Sequence, residues 1–175
     1  YIRVHSNAYH NESVNWGDIL NERVDYKLPK SWAVGLFRIL TAPIFKFYLK
    51  LTKKGQEKIS SEPRIYVLNH ESFADAFALG HMFTYKQAKN VYFFAIKKHF
   101  EKPVRRFFAD NGNIVLVDIN KNLKESLQIA AKVLKENKSL VIFPEGARTR
   151  DGEIHDFKKF FAILSKELNI PVTVM

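Results

Sequence analysis

A histidine and an aspartate five positions apart are the first residues in this chain that can do acid–base chemistry together. In Asn69-His70-Glu71-Ser72-Phe73-Ala74-Asp75, His70 falls just outside a predicted helix and Asp75 in its first turn. The carboxylate can then fold back to the imidazole, fix its tautomer and stabilise the imidazolium formed when the other nitrogen takes a proton. A positioned base of this kind is worth about 10²- to 10⁴-fold in rate. The same residues also suit a plain helix start, with Ser72 or Asp75 capping free N–H groups. A zinc site fits less well. The second histidine of H-E-x-x-H is missing, because position 74 is Ala.

No protein nucleophile accompanies His70. The chain has no Cys and no G-x-S-x-G elbow, and Ser72 stands too close in sequence to make a convincing triad serine. A base without a nucleophile suits direct attack by a substrate hydroxyl. A second loop, Phe143-Pro144-Glu145-Gly146-Ala147-Arg148-Thr149-Arg150, has the makings of an anion cradle. Gly146 permits tight backbone geometry, and Arg148 and Arg150 carry forked donors suited to phosphate oxygens. Glu145 can orient an arginine or accept a hydrogen bond from a substrate hydroxyl. Lys158 and Lys159 add positive charge downstream, and Lys97-Lys98-His99 with Lys102–Arg106 forms a basic stretch able to meet a phosphate head group or a thioester carrier. Ordinary turns and solvated faces account for each of these residues equally well when taken singly.

Loops need a frame. Arg64–Leu68, Val91–Ile96, Ile114–Val117, Leu140–Phe143 and the segment from Pro171 read as strands; Ser72–Phe83, Leu123–Leu134 and Phe157–Leu168 read as helices. This alternation predicts an α/β domain with a largely parallel central sheet flanked by helices. In such sheets ligands bind where strands end and loops begin, and both loops stand there. Upstream, Trp32, Leu36, Ile39, Leu40, Ile44, Phe47, Tyr48 and Leu51 recur at helical spacing, with Pro43 expected to split two short helices. This N-terminal amphipathic segment, flanked by Arg38, Lys46 and Lys50, either lies in a membrane interface or packs on the core. Residues 1–30 are polar and read as a lead-in or linker with one short helix near Asp18–Val24. Residues 31–175 read as the domain itself.

The bulk numbers bound these readings. A chain of 175 residues, 46% apolar and 26% charged, fits one globular domain. Lys and Arg outnumber Asp and Glu by 28 to 18, a formal charge of +10, which favours nucleic acid, a phospholipid surface or a phosphorylated substrate as partner. The apolar run from Trp32 to Leu51 is interrupted by Arg38, Pro43, Lys46 and Lys50, so it falls short of the roughly 18–20 residues that cross a bilayer. The N-terminus carries no signal-peptide pattern. Tyr1 opens the chain and Ile170–Met175 reads as a strand cut at its end, so the expectation is a piece of a longer protein, truncated at its C-terminus.

Together the two loops resemble the lysophosphatidate acyltransferase family of glycerolipid acyltransferases, marked by H-x-x-x-x-D and F-P-E-G-T-R. The first motif stands intact from His70 to Asp75, and the second runs Phe143-Pro144-Glu145-Gly146-Ala147-Arg148 with Ala147 in place of Thr. The resemblance extends from about Tyr48 to the C-terminus. It implies that His70 is the base and Asp75 its orienting partner. By the same resemblance Glu145, Gly146 and Arg148 belong to an acceptor-phosphate site, with Lys97 and Arg105 as further contributors. It also implies no metal or bound cofactor, acyl-CoA or acyl-carrier protein as co-substrate, and a lysophospholipid such as 1-acylglycerol-3-phosphate as acceptor. The expected setting is peripheral, on the cytoplasmic face of a phospholipid membrane surface, with no nucleic acid. Ile119, where many members carry Arg, and Phe160, where the residue is often small, depart from the pattern. The lead-in and residues 156–168 also resemble acyltransferase domains fused behind acyl-activating ligases. Other readings are a thioester or lysolipid hydrolase and a non-catalytic module that binds anionic lipid.

Overall fold

The computed structural model describes residues 14–72, 74–146 and 156–175. Strands β1 (Ile65–Val67), β2 (Val91–Ile96), β3 (Ile114–Val117), β4 (Ser139–Ile142) and β5 (Val172–Val174) form one sheet in the order β3-β2-β4-β1-β5, every pair parallel. This is the expected α/β architecture. Both faces are covered, as a parallel sheet requires. Alternate side chains divide between two cores. Ile65, Val67, Leu140 and Ile142 pack with Leu127, Ala131 and Leu134 of α6 (Leu123–Lys135) and with Leu164 of α7 (Phe160–Leu168). Tyr66 and Val141 face the other way, toward Leu79 of α3 (Asp75–Met82) and Phe83.

Three segments differ from the sequence expectation. The short helix expected near Asp18–Val24 is present as α1 (Trp16–Asn21), but it is no free lead-in: Asn15 caps it and it is held against α6 and α7 with Leu20 buried. Further on, the Tyr26 hydroxyl accepts from Leu116 N at 3.1 Å, covering the outer edge of β3. Trp16, Leu20 and Val24 carry a helical spacing that the surrounding Asn and charged residues conceal. Residues 97–113, read as a basic stretch and a turn, fold as a 3₁₀ turn (Lys97–Phe100) and helix α5 (Pro103–Asn111). Pro103 at the first helical position pre-sets the backbone dihedral, and Ala109 and Phe108 provide the inward side. Finally, the loop before β2 holds a short helix, α4 (Tyr85–Ala88), closed by a Thr84–Gln87 capping box.

The amphipathic segment forms α2 (Ala33–Pro43), which passes at Pro43 into a π-helical turn (Ile44–Tyr48). Its inward residues are not the ones that the apolar spacing singled out. Ala33 and Phe45 are buried, and Phe37 stacks on Phe77 of α3 at 5.0 Å between ring centroids. Arg38 donates to the carbonyls of Gly80 and Phe83 (2.9 Å for the latter), closing the C-terminal end of α3. The stripe of Leu36, Ile39, Leu40, Phe47 and Tyr48 points away from the core, with Ile39 73% and Tyr48 83% exposed.

Arg38→Met keeps the apolar stem but removes both bonds to α3. Leaving those carbonyls without donors should lower stability by about 1–3 kcal/mol, read as a fall in the urea midpoint. An unchanged midpoint would show that Arg38 does not hold α2 to α3.

Candidate active site

The sheet register brings the two loops together. Val67 of β1 lies opposite Ile142 of β4. Three residues beyond each strand come His70 and Glu145, and His70 N donates to Glu145 Oε1 at 3.1 Å. Glu145 is only 7% exposed, so this bond stitches the loops inside the protein rather than across its surface. Sequence reading assigned Glu145 to a substrate or an arginine; its tie to the histidine loop was not visible there.

One carboxylate oxygen organises the first loop. Asp75 Oδ2 accepts from His70 Nδ1 at 3.0 Å, from Glu71 N at 2.9 Å and from Ser72 N at 2.8 Å. Asp75 is the first residue of α3, and the atom that orients the imidazole also satisfies two N–H groups of the loop ahead of the helix, while α3 itself has no side-chain cap. With Nδ1–H given to Asp75, the lone pair of His70 stands on Nε2, which has no hydrogen-bond partner among the described residues. Phe143 holds the ring from one side, stacked at 4.0 Å and 25°. Ser72 Oγ accepts from Ala74 N at 3.1 Å and makes no bond to His70, which leaves the serine as a turn former. Among the described residues no group of three or more His, Asp or Glu could hold a metal ion.

His70, Phe143 and Gly146 line one end of a cavity of about 770 Å³. The cavity passes Phe37, Phe77, Phe93 and Phe108 and reaches Ala88, Val91 and Asn113. Its wall follows β2 from Val91 to Ile96, five steps of about 3.3 Å or roughly 16 Å. The space is therefore long, mostly apolar and open to a base at one end. Its aromatic wall was missed as a site feature, although 15 Phe in one chain are the signal that could have found it. Arg105 lines the cavity and donates from Nη1 to His99 O at 3.2 Å, whereas Lys97 is not among the lining residues. Ile119 and Phe160 line it too, and Phe160 packs on Phe94 at 4.8 Å. Gly146 adopts φ +75°, as its expected role in a tight turn requires. Arg148, with Ala147 and Arg150, lies outside the described residues.

A second histidine faces the same cavity. His81, 6% exposed, donates from Nε2 to Thr41 Oγ1 at 2.8 Å, because the threonine hydroxyl is itself donated to Phe37 O at 2.8 Å. Burial, and then the nearby charges of Arg38 and Lys53, hold its pKa below the usual 6.5. It therefore links α2 to α3 as a neutral ring.

The family model described as Acyltransferase matches residues 50–175. A 1-acyl-sn-glycerol-3-phosphate acyltransferase of Chlamydomonas reinhardtii is 31% identical over 144 residues, covering 77% of this chain and 40% of the relative. The chloroplastic 1-acyl-sn-glycerol-3-phosphate acyltransferase of Arabidopsis thaliana is 26% identical over 167 residues, covering 90% of this chain and 43% of the relative. The chain thus spans less than half the length of these curated relatives. Among solved structures, the 1-acyl-sn-glycerophosphate acyltransferase of Thermotoga maritima superposes with a TM-score of 0.58 at 23% identity, over 79% of this chain and 55% of that one. At that identity the likeness is one of fold.

A group whose folded pKa is depressed binds fewer protons folded than unfolded. His81 therefore contributes stability that is complete above 6.5 and is lost as pH falls below it. Thermal melts of the wild type should drop on acidification below that point, and His81→Gln should flatten the drop. Parallel melting curves for the two proteins across that range would contradict this role.

Proposed function

The chain belongs to the Acyltransferase family, and from that premise we propose that it transfers an acyl group from a thioester to the free hydroxyl of a lysophospholipid, in phospholipid synthesis. The acceptor in this reading is 1-acylglycerol-3-phosphate, the molecule in the names of the relatives. Acyl-CoA or acyl-carrier protein is the donor, and no bound cofactor is called on. The observation that carries the proposal is an oriented histidine, its Nε2 free among the described residues, on the wall of a long apolar cavity in a chain without cysteine.

The step follows from that arrangement. His70 Nε2 takes the proton of the acceptor hydroxyl as its oxygen attacks the thioester carbonyl, while Asp75 stabilises the imidazolium. The tetrahedral intermediate collapses by breaking the carbon–sulfur bond. The proton then passes from His70 to the departing thiolate, leaving ester, thiol and neutral histidine. The cavity takes an acyl chain along β2. Glu145, Gly146 and Arg148 serve the acceptor's phosphate, with Arg105 on the cavity wall and Lys97 further out.

The outer face of α2 suits a phospholipid membrane surface. Ile39, Leu40, Phe47 and Tyr48 stand out into solvent beside Lys46 and Lys50. Trp32 meets Phe107 of α5 edge-on at 6.2 Å, so the apolar patch continues across two helices. No helix among the described residues is long and apolar enough to cross a membrane. Peripheral attachment to the cytoplasmic leaflet through α2 would bring lysophospholipid to a cavity that α2 itself walls with Val34 and Phe37. No nucleic acid enters this account.

Two outcomes follow. His70→Ala should lower transfer by at least about 10²-fold with an unchanged melting temperature, because a loop-borne base adds little packing. Full activity with a thioester donor and lysophosphatidate, scored by mass spectrometry of phospholipid and free fatty acid, would sink the mechanism. Ile39→Glu with Leu40→Glu should abolish co-sedimentation with anionic phospholipid vesicles while the fold persists. Undiminished binding would place the membrane contact elsewhere.

A further inference from the structure

Gly146 leaves an open face, and a lysine from further along the chain occupies it. A Cβ built on Gly146 would lie 2.7 Å from Lys158 Nζ, 3.0 Å from its Cε and 3.3 Å from its Cδ. The lysine stem therefore runs across the glycine, and its ammonium rests on the loop that carries Glu145. The backbone fixes this approach, because Lys158 N donates to Pro144 O at 3.0 Å. Lys158 also lines the cavity that His70, Phe143 and Gly146 line. Among the described residues no carboxylate is within ion-pair distance of it, and the four ion pairs there use other groups.

An ammonium on the wall of the cavity that holds His70, with no counter-ion among the described residues, is a receptor for an anionic group of the ligand. The geometry points to Lys158 as a binding residue for the acceptor's phosphate, held in place by the missing side chain of Gly146. This rests on the acyl-transfer reading and goes beyond it, naming a residue outside both motifs and a steric reason for the glycine. Two sources of phosphate enter such a site, the acceptor and a CoA donor. In a 1-acylglycerol-3-phosphate the phosphate sits on the carbon next to the one bearing the free hydroxyl. A base on the hydroxyl and a cation on the wall of the same cavity therefore fit one molecule. The phosphates of a CoA thioester lie at the far end of the pantetheine arm, away from the reacting carbonyl.

The test uses the full-length protein and two probes, glycerol 3-phosphate for binding and lysophosphatidate with acyl-CoA for turnover. Lys158→Met should weaken glycerol 3-phosphate binding in calorimetry and raise the KM for lysophosphatidate, each by about tenfold, while the KM for acyl-CoA stays as it was. Lys158→Arg should recover most of both. Gly146→Ala, whose methyl would meet the ammonium, should show the same acceptor defect and add little to it in the double variant. Unchanged glycerol 3-phosphate binding in Lys158→Met would overturn the inference. So would a defect confined to the acyl-CoA KM, or a loss of kcat alone. Wild-type protein that binds glycerol 3-phosphate through Lys158 yet does not acylate lysophosphatidate would instead refute the acyl-transfer reading.

Discussion

The parallel pairing of β1 with β4 is the constraint on which the site depends. Because Val67 stands opposite Ile142, the loops that leave the two strands run side by side, and residues 75 apart in sequence meet as His70 and Glu145. A slip of one residue would reverse every side chain on one strand between the two cores. Burial of Ile65, Val67, Leu140 and Ile142 on one face and of Tyr66 and Val141 on the other therefore protects the register. The geometry of the proposed catalytic pair is inherited from this packing.

Within that frame a few atoms carry several duties. Asp75 Oδ2 ties the loop ahead of α3 to the first residue of that helix and also sets the imidazole tautomer, so His70 is oriented by the atom that orders its own loop. At the other end of α3, Arg38 closes the C-terminal carbonyls from α2. The helix bearing Asp75 is thus held at both ends, once through its own carboxylate and once by the segment with the exposed apolar face. Phe37, stacked on Phe77, completes the join and walls the cavity. The proposed membrane contact and one wall of the cavity then share α2.

Much of this was legible from the chain. The strands announced themselves through continuous β-branched and aromatic runs, as in Ile114–Val117, and the His70–Asp75 spacing across a helix start identified the dyad. Less legible were elements whose inward residues are few. Helix α5 hides behind Arg105, Arg106 and Lys102, and the packing of α1, though not its presence, behind Asn15 and Asp18, because charge and amide residues dominate their composition while a handful of apolar positions do the packing. The direction of α2 could not be read from periodicity, since its apolar stripe is the outer one and a half-buried arginine belongs to the inner one. The contacts of Glu145 with His70, and of Lys158 with Gly146, depend on register and on chain reversal. Neither leaves a local pattern.

The central claim is that His70 serves a hydroxyl belonging to the acceptor and that no protein group becomes acylated. The most direct measurement is a single-turnover reaction of the full-length protein with an acyl thioester, with and without lysophospholipid, followed by thiol release and intact-protein mass. The account predicts no thiol burst and no acyl adduct when the acceptor is absent, and release matched one-to-one by diacyl product when it is present. A stoichiometric burst without acceptor, with the acyl mass retained on the protein at Ser72 or elsewhere, would contradict it.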